Sequence, residues 1–394
     1  MNVRLFIIRC IMAAVCLTAN PRAIPAPPQE VILGDEQFDQ YLPLLEGKRV
    51  AILSNQTGIV GNKHVLDVLL ENGVNVVVIF SPEHGFRGTA DAGEKVSSSI
   101  DTKTGVPICS LYGIKGGVPD ADTMMSFDVL VSDIQDVGLR FYTYYITMVK
   151  LMNQCAVYGR QMIVLDRPNP NGFYVDGPIL DMKYKSGVGS LPVPVVHGLT
   201  LGELALMANG EHWLESGKKC NLMVIACKNY THESKYNLPV APSPNLPNMK
   251  SIYLYPSLCY FEATPVSLGR GTDAPFQLFG HPDMKGYDFS FTPESRPGAK
   301  NPPQLGKLCY GRNLRNLSDS AIWEGKINLN YLIEAYRSVN VGDSFFTPFF
   351  EKLIGVDYVR KMIEDGCSAE QISKCWQADV ETFKKQRKPY LLYD

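Results

Sequence analysis

Apolar and polar positions along the chain fall into a repeating block: a short β-branched run, a polar cluster, then an apolar stripe at helical spacing. The clearest run is Val76, Val77, Val78, Ile79 and Phe80, and it ends in Ser81, Pro82, Glu83, His84, Gly85, Phe86 and Arg87. A run this short and this apolar reads as a strand buried on both faces, as in a parallel sheet. Pro82 cannot continue a ladder, so the strand should stop near Ser81 and set Glu83, His84 and Arg87 just past its carboxyl end. The block recurs. Arg49–Leu53 is followed by Ser54, Asn55, Gln56, Thr57 and Gly58, and Asp128–Val131 by a stretch containing Asp133, Gln135, Asp136 and Arg140. Gln161–Leu165 is followed by Asp166, Arg167, Pro168 and Asn169. Val106–Ser110 and Asn221–Cys227 add two more predicted strands, and Pro192–His197 reads as a strand edge.

Helices are predicted between these runs. Gln37–Leu45 is short. Lys63–Glu71 carries Val65, Leu66, Val68, Leu69 and Leu70 on one face, with Gly73 as its stop. Phe141–Tyr158 opens on four aromatic residues, Phe141, Tyr142, Tyr144 and Tyr145, and Gly159 ends it. Thr200–Ala208 begins with a capping box, Thr200 with Glu203, which gives Glu203 a structural task. Alternation of this kind over residues 49–228 predicts a doubly wound α/β domain with a mainly parallel sheet, spanning 28–237. The stretch LPVAPSPNLP at 238–247 is too rich in proline for helix or central strand and reads as a linker. Residues 248–394 then form a smaller α+β domain, with helices expected at 329–339, 357–365 and 369–388. Ser368 and Gln371 make a second capping box.

The first 22 residues depart from this pattern. Arg4 and Arg9 precede the apolar run Cys10–Leu17, and small residues and prolines follow, as in a secretory signal peptide. The run is too short to span a bilayer, so no stable membrane span is expected. Cysteine 16 lacks the small preceding residue of a lipoprotein signal, because Val15 stands there. The expected location is periplasmic or extracellular. The eight remaining cysteines have no CxxC spacing, and a chain of this length builds its own core, so free thiols are expected. A formal charge of −2 gives no reason to expect nucleic acid as a partner.

Several chemistries lack their signature. No GxGxxG follows a strand, no P-loop and no GxSxG elbow is present, and no histidines stand in an i,i+4 pair. No cofactor or metal is therefore expected. A lone buried histidine such as His197 reads as a core residue. What remains is carboxylates and amides at the strand ends, which a parallel sheet brings to one edge. Polar side chains beside aromatic faces (Phe86, Phe141, Tyr142, Tyr144) suit a carbohydrate, whose hydroxyls need directed hydrogen bonds and whose ring face packs on aromatics. Two carboxyls can supply acid and base, or acid and nucleophile, to a glycosidic bond. Glu83 is the acid candidate, with Asp133 or Asp136 as partner. A sugar-binding protein without catalysis and a metal-dependent amidase or deacetylase share these features.

AILSNQTG (51–58), FSPEHGFRG (80–88), VSDIQDVGLRFYTY (131–144), VLDRPNPNG (164–172) and YPSLCYFEATPVSLGRGTDAPFQLFG (255–280) together resemble one family, the exo-β-N-acetylmuramidases of peptidoglycan recycling. The resemblance covers nearly all of the chain after the leader, in order. It implies a Rossmann-like domain without a nucleotide, a smaller C-terminal domain, and an active site in the cleft between them. The implied reaction is hydrolysis of terminal, non-reducing β-linked N-acetylmuramic acid from muropeptide or disaccharide substrates. The resemblance implies Glu83 as a catalytic carboxylate and puts Asp133, Asp136 and Glu262 forward for the second group. Arg87, Arg140 and Arg270 are candidates for the lactyl carboxylate, which suits a guanidinium fork, against pairing with Asp91, Asp136 or Asp273. Asn55, His84, Gln135, Tyr142, Asp166 and Arg167 complete the expected substrate contacts.

Overall fold

In the computed structural model, six of the strand runs read from the sequence join one seven-stranded sheet, in the order Ser99–Ile100, Pro107–Ser110, Asn75–Ser81, Arg49–Ser54, Val129–Asp133, Gln161–Leu165, Asn221–Ile225. The edge strand Ser99–Ile100 was not expected, and Pro192–His197, read as a strand edge, makes only isolated bridges through Val196. The residues described are 29–83, 85–86, 99–111 and 115–394. The expected leader, His84 and Arg87 lie outside them. The sheet strands are β1 (Arg49–Ser54), β4 (Asn75–Ser81), β5 (Ser99–Ile100), β6 (Pro107–Ser110), β7 (Val129–Asp133), β8 (Gln161–Leu165) and β9 (Asn221–Ile225); β2 (Ile59–Val60) and β3 (Lys63–His64) form a separate ribbon. All neighbours in the main sheet are parallel except β5, which runs antiparallel on β6 at the edge. The six parallel strands have the doubly wound order, which reverses between β1 and β7. Register there sets Leu53 opposite both Phe80 and Ser132, and Ser54 opposite Asp133.

The early helices are α1 (Phe38–Leu45), α2 (Val65–Glu71), α3 (Ala121–Met125), α4 (Tyr144–Tyr158) and α5 (Leu201–Gly210). They cover two faces. Val50, Ile52, Ile79 and Val131 bury against α1 and α2 on one side, while Leu53, Phe80, Leu130 and Val164 join the larger core with α4 and α5 on the other. At α5 the predicted capping box is present: Thr200 Oγ1 accepts from Glu203 N at 3.2 Å, and Glu203 Oε2 accepts from Thr200 N at 2.9 Å. Helix α4 starts at Tyr144 rather than Phe141, and its N-cap Thr143 gives no side-chain cap. The Thr143 hydroxyl is spent elsewhere, as described below.

The second part is α6 (Met249–Leu258), a three-stranded antiparallel sheet β10 (Leu278–His281), β11 (Phe289–Phe291) and β12 (Cys309–Asn313), and the helices α7 (Asp319–Ile322), α8 (Asn330–Ser338), α9 (Phe349–Ile354), α10 (Tyr358–Glu364), α11 (Ala369–Lys374) and α12 (Gln377–Arg387). The single helix expected over 369–388 is two. The chain breaks at Trp376, whose fully buried indole donates to Asp176 Oδ1 at 2.7 Å, so a distant contact overrides local propensity. Helix α6 was not predicted. Its Asn248–Ser251 capping box was a readable signal, hidden beside the prolines.

The proline-rich 238–247 stretch lies on the first part's strand ends. Gln56 Nε2 donates to the carbonyls of Ala241 and Pro242, and the hydroxyls of Tyr142 and Tyr144 both donate to Pro242 O, at 2.8 and 2.9 Å. All eight described cysteines are free; five are buried, Cys109 and Cys367 are half-buried and Cys375 is exposed.

Candidate active site

In doubly wound folds the ligand crevice opens where strand order reverses, here past β1 and β7. This chain fills that crevice with its own polar groups. Asn55 Oδ1 accepts from Thr57 N at 3.0 Å and Thr57 Oγ1 at 2.6 Å, and Thr57 Oγ1 in turn accepts from Gln135 N at 2.9 Å. Gln135 Nε2 donates to the carbonyls of Asp136 and Pro168. Gly58 passes so close that a β-carbon there would stand 2.2 Å from Ser54 Oγ and 3.0 Å from Asp133 Oδ2. The Asn55 oxygen and the Gln135 amide therefore brace the loops at this edge of the sheet.

The expected strand-end charges are likewise engaged by the protein. Arg167 holds Asp133 through two bonds, Nε to Oδ1 at 2.6 Å and Nη2 to Oδ2 at 3.1 Å, and its Nη2 also bonds Asp35. All three side chains are buried. Burial, with the nearby negative charge of Asp133, pushes Asp35 up to about 8 even against the guanidinium. Asp166 accepts from Thr200 Oγ1, Tyr393 OH and Gly202 N at 2.6–2.8 Å, and burial pushes it up to about 6. It ties the start of α5 and the C-terminus to β8. Asp136 accepts from Gly138 N at 2.7 Å, its Oδ2 has no hydrogen-bond partner, and burial pushes it up to about 7. Arg140 is fully buried and donates to four carbonyls, those of Pro178, Val193, Leu353 and Ile354. Asp133, Arg140, Asp166 and Arg167 are thus held by the protein's own groups, and Asp136 by Gly138 N through one oxygen. The physical reason is common to them: a charge carried into the interior by a strand end must find partners there or change its protonation. Among the described residues no three His, Cys, Asp or Glu side chains gather as a metal-ligand set.

A different group does converge. Glu83, two residues past β4, lines a pocket with Phe141, Tyr142, Thr143 and Tyr144 from the front of α4, Ser243, Asn245 and Leu246 from the proline-rich stretch, and Tyr255, Glu262, Arg270 and Phe276 from the second part. Thr143 Oγ1 donates to Glu83 Oε2 at 2.8 Å. Across the pocket Arg270 Nη2 donates to Glu262 Oε1 at 2.6 Å. Burial pulls the Arg270 guanidinium down, but the Glu262 charge and this bond carry it above its ordinary value. Arg270 therefore pairs with Glu262, not with Asp273, which stands 3.9 Å from Arg315. Rings line the same pocket: Phe141 packs edge-on to Tyr255 at 5.1 Å, Tyr255 to Phe276 at 4.7 Å, and the Arg270 guanidinium sits 5.2 Å over Phe276.

Residues 50–250 match the N-terminal part, and residues 253–393 the C-terminal part, of the family described as exo-beta-N-acetylmuramidase NamZ. The chain belongs to the NamZ family. It is 38% identical over 379 residues to the peptidoglycan beta-N-acetylmuramidase NamZ of Bacillus subtilis strain 168, an alignment covering 91% of this chain and 90% of the relative. Two crystal structures of DUF1343 family proteins from Bacteroides fragilis NCTC 9343 share the fold. One is 65% identical with a TM-score of 0.87, covering 93% of this chain and 99% of its own; the other is 28% identical with a TM-score of 0.77, covering 93% and 100%.

Against this family background, the pocket combines what an amino-sugar site needs: a carboxylate on a neutral hydroxyl, a second carboxylate with a guanidinium, and aromatic faces. Of the residues put forward from the sequence, Glu83, Tyr142, Glu262 and Arg270 line this pocket, together with the ring faces Phe141 and Tyr144. Sequence reasoning missed Thr143, Ser243, Asn245, Tyr255 and Phe276. Thr143 left a trace as a polar residue inside an aromatic run, and Tyr255 and Phe276 lie within the 255–280 segment that carries the family resemblance.

Proposed function

We propose that this chain is a glycoside hydrolase that removes terminal, non-reducing β-linked N-acetylmuramic acid from peptidoglycan fragments, and that the chemistry runs in the Glu83 pocket. The observation that carries this reading is the placement of Glu83 and the Glu262–Arg270 pair on one aromatic-walled pocket, in a chain of the NamZ family. Glu83 is the proton-transfer carboxylate, oriented by Thr143. Arg270, fixed in place by Glu262, presents its remaining guanidinium donors to the lactyl carboxylate that distinguishes muramic acid from glucosamine. Tyr142, Tyr255 and Phe276 pack on the sugar ring.

The reading includes export by the leader at residues 1–22 and a two-part organisation whose seam follows the proline-rich 238–247 stretch. The family match, which changes from N- to C-terminal part between 250 and 253, supports that seam. The test compares a chromogenic β-N-acetylmuramide with the matching N-acetylglucosaminide, using wild type and Glu83→Gln. Release from the muramide only, abolished in the variant, is expected. Muramic-acid binding without release from either compound would favour a binding protein, and release unaffected by Glu83→Gln would move the chemistry to another carboxylate.

A further inference from the structure

Beside the Glu83 pocket lies a groove of about 580 Å³ that the proposed chemistry does not use. One side of it is a stripe of α4 at helical spacing: Ile146, Val149, Lys150, Asn153 and Gln154. The same helix begins at the pocket, where Thr143 holds Glu83. The other side is the 186–191 loop. Its Val188 lines the pocket while Ser186, Gly187, Ser190 and Leu191 line the groove. The loop is fixed against α4, because Tyr145 OH accepts from Ser190 N at 3.0 Å. Pocket and groove therefore share both walls and follow one another along a single helix.

The groove changes character along its length. Near the pocket it offers buried Ile146 and Val149; farther along it offers Lys150, Asn153 and Gln154, all half-buried. Trp213, half-buried, supplies an aromatic face. Lys185 and Glu215 pair at 2.6 Å, and Lys150, which donates to the Gly116 carbonyl at 3.0 Å, also feels the Glu215 charge; with two lysines to one glutamate the groove's described lining keeps an excess of positive charge.

We infer that this groove is a leaving-side subsite, holding the sugars that follow the scissile bond in a β-linked glycan of alternating N-acetylmuramic acid and N-acetylglucosamine. The inference rests on the muramidase reading of the Glu83 pocket. Ile146 and Val149 receive the first sugar after the bond; Trp213, whose segment is tied to Asn153 through Ser216 N at 2.9 Å, packs on the second, whose lactyl carboxylate meets Lys150. The spacing agrees: Thr143 and Lys150 are separated by about 10 Å at ~1.5 Å per helical residue, the span of two sugar rings. The groove would thus select glycan chains over the bare disaccharide.

The test measures kcat/KM of wild type and Lys150→Glu on two substrates, an aryl β-N-acetylmuramide and a tetrasaccharide with muramic acid at its non-reducing end. Lys150 is half-buried and its ammonium reaches the exposed Gly116 carbonyl, so its charge reversal is compatible with folding. Trp213→Ala provides an independent, uncharged change. The ratio of tetrasaccharide to aryl-muramide kcat/KM is expected to fall about tenfold in Lys150→Glu, through KM, and to fall in Trp213→Ala. Active variants with the wild-type ratio would overturn the subsite and leave the muramidase reading intact. Wild type inactive on both substrates would remove that reading, and the subsite with it.

Discussion

The hydroxyl of Thr143 donates to Glu83 Oε2 at 2.8 Å, joining the uncapped N-cap position of α4 to the carboxylate that follows β4. A threonine at that position would ordinarily cap its own helix. Here the cap is given up to hold a side chain across the pocket. Thr143 is therefore a positioning residue. Thr143→Val should lower kcat on the aryl muramide about tenfold, the worth of one hydrogen bond to a charged group, with KM nearly constant. Thr143→Ser should restore it. A valine variant with wild-type kcat, or a serine variant as slow as the valine, would remove Thr143 from the mechanism.

Arg270 is predicted to act in binding. Arg270→Lys keeps a positive charge near Glu262 but loses the planar fork. KM for the muramide should rise about tenfold while kcat changes by less than about threefold. Steady-state kinetics decide it. An unchanged KM would mean that the lactyl carboxylate is bound elsewhere.

Arg140, Arg167 and Arg270 look alike in the sequence, each beside a strand-end or loop acid, and the structure separates them. Their roles are set by what the tertiary fold places around them: four carbonyls for Arg140, two carboxylates for Arg167, an open pocket for Arg270. No local pattern carries that information. What was local was legible. Pro82 ends β4 near where its geometry requires, and Thr200 with Glu203 caps α5 as read. The doubly wound class followed from alternation alone, but the strand order depends on pairings between distant runs. Tyr255 and Phe276 joined the pocket from about 170 and about 190 residues beyond Glu83, distances no spacing rule spans.

The Arg167 cluster should behave as a stability element. Arg167→Met removes the only cation between Asp35 and Asp133 among the described residues and leaves two carboxyls buried side by side. A loss of ~3–5 kcal/mol is expected, read as a lower urea midpoint. Protein that remains folded should keep its KM for the muramide, because no part of this cluster lines the Glu83 pocket. A raised KM with wild-type stability would restore Arg167 as a substrate contact.

Asp136 sets a pH dependence. It is buried, one of its oxygens has no partner, and its value is pushed up to about 7 by burial. In the unfolded chain it titrates near 3.9. Between those values the native state binds more protons than the unfolded state, so the slope of unfolding free energy against pH is negative. The stabilisation from neutral Asp136 is complete below pH ~4 and is lost progressively as pH rises through about 7. Asp166, pushed up to about 6 by burial, adds a slope of the same sign over a narrower window. Asp136→Asn keeps the shape and the bond from Gly138 but cannot ionise. Urea midpoints of the wild type should therefore fall between pH 5 and pH 8, and the fall should be smaller in Asp136→Asn. Parallel wild-type and variant profiles would mean that Asp136 keeps a proton, or loses it, at the same pH in both states.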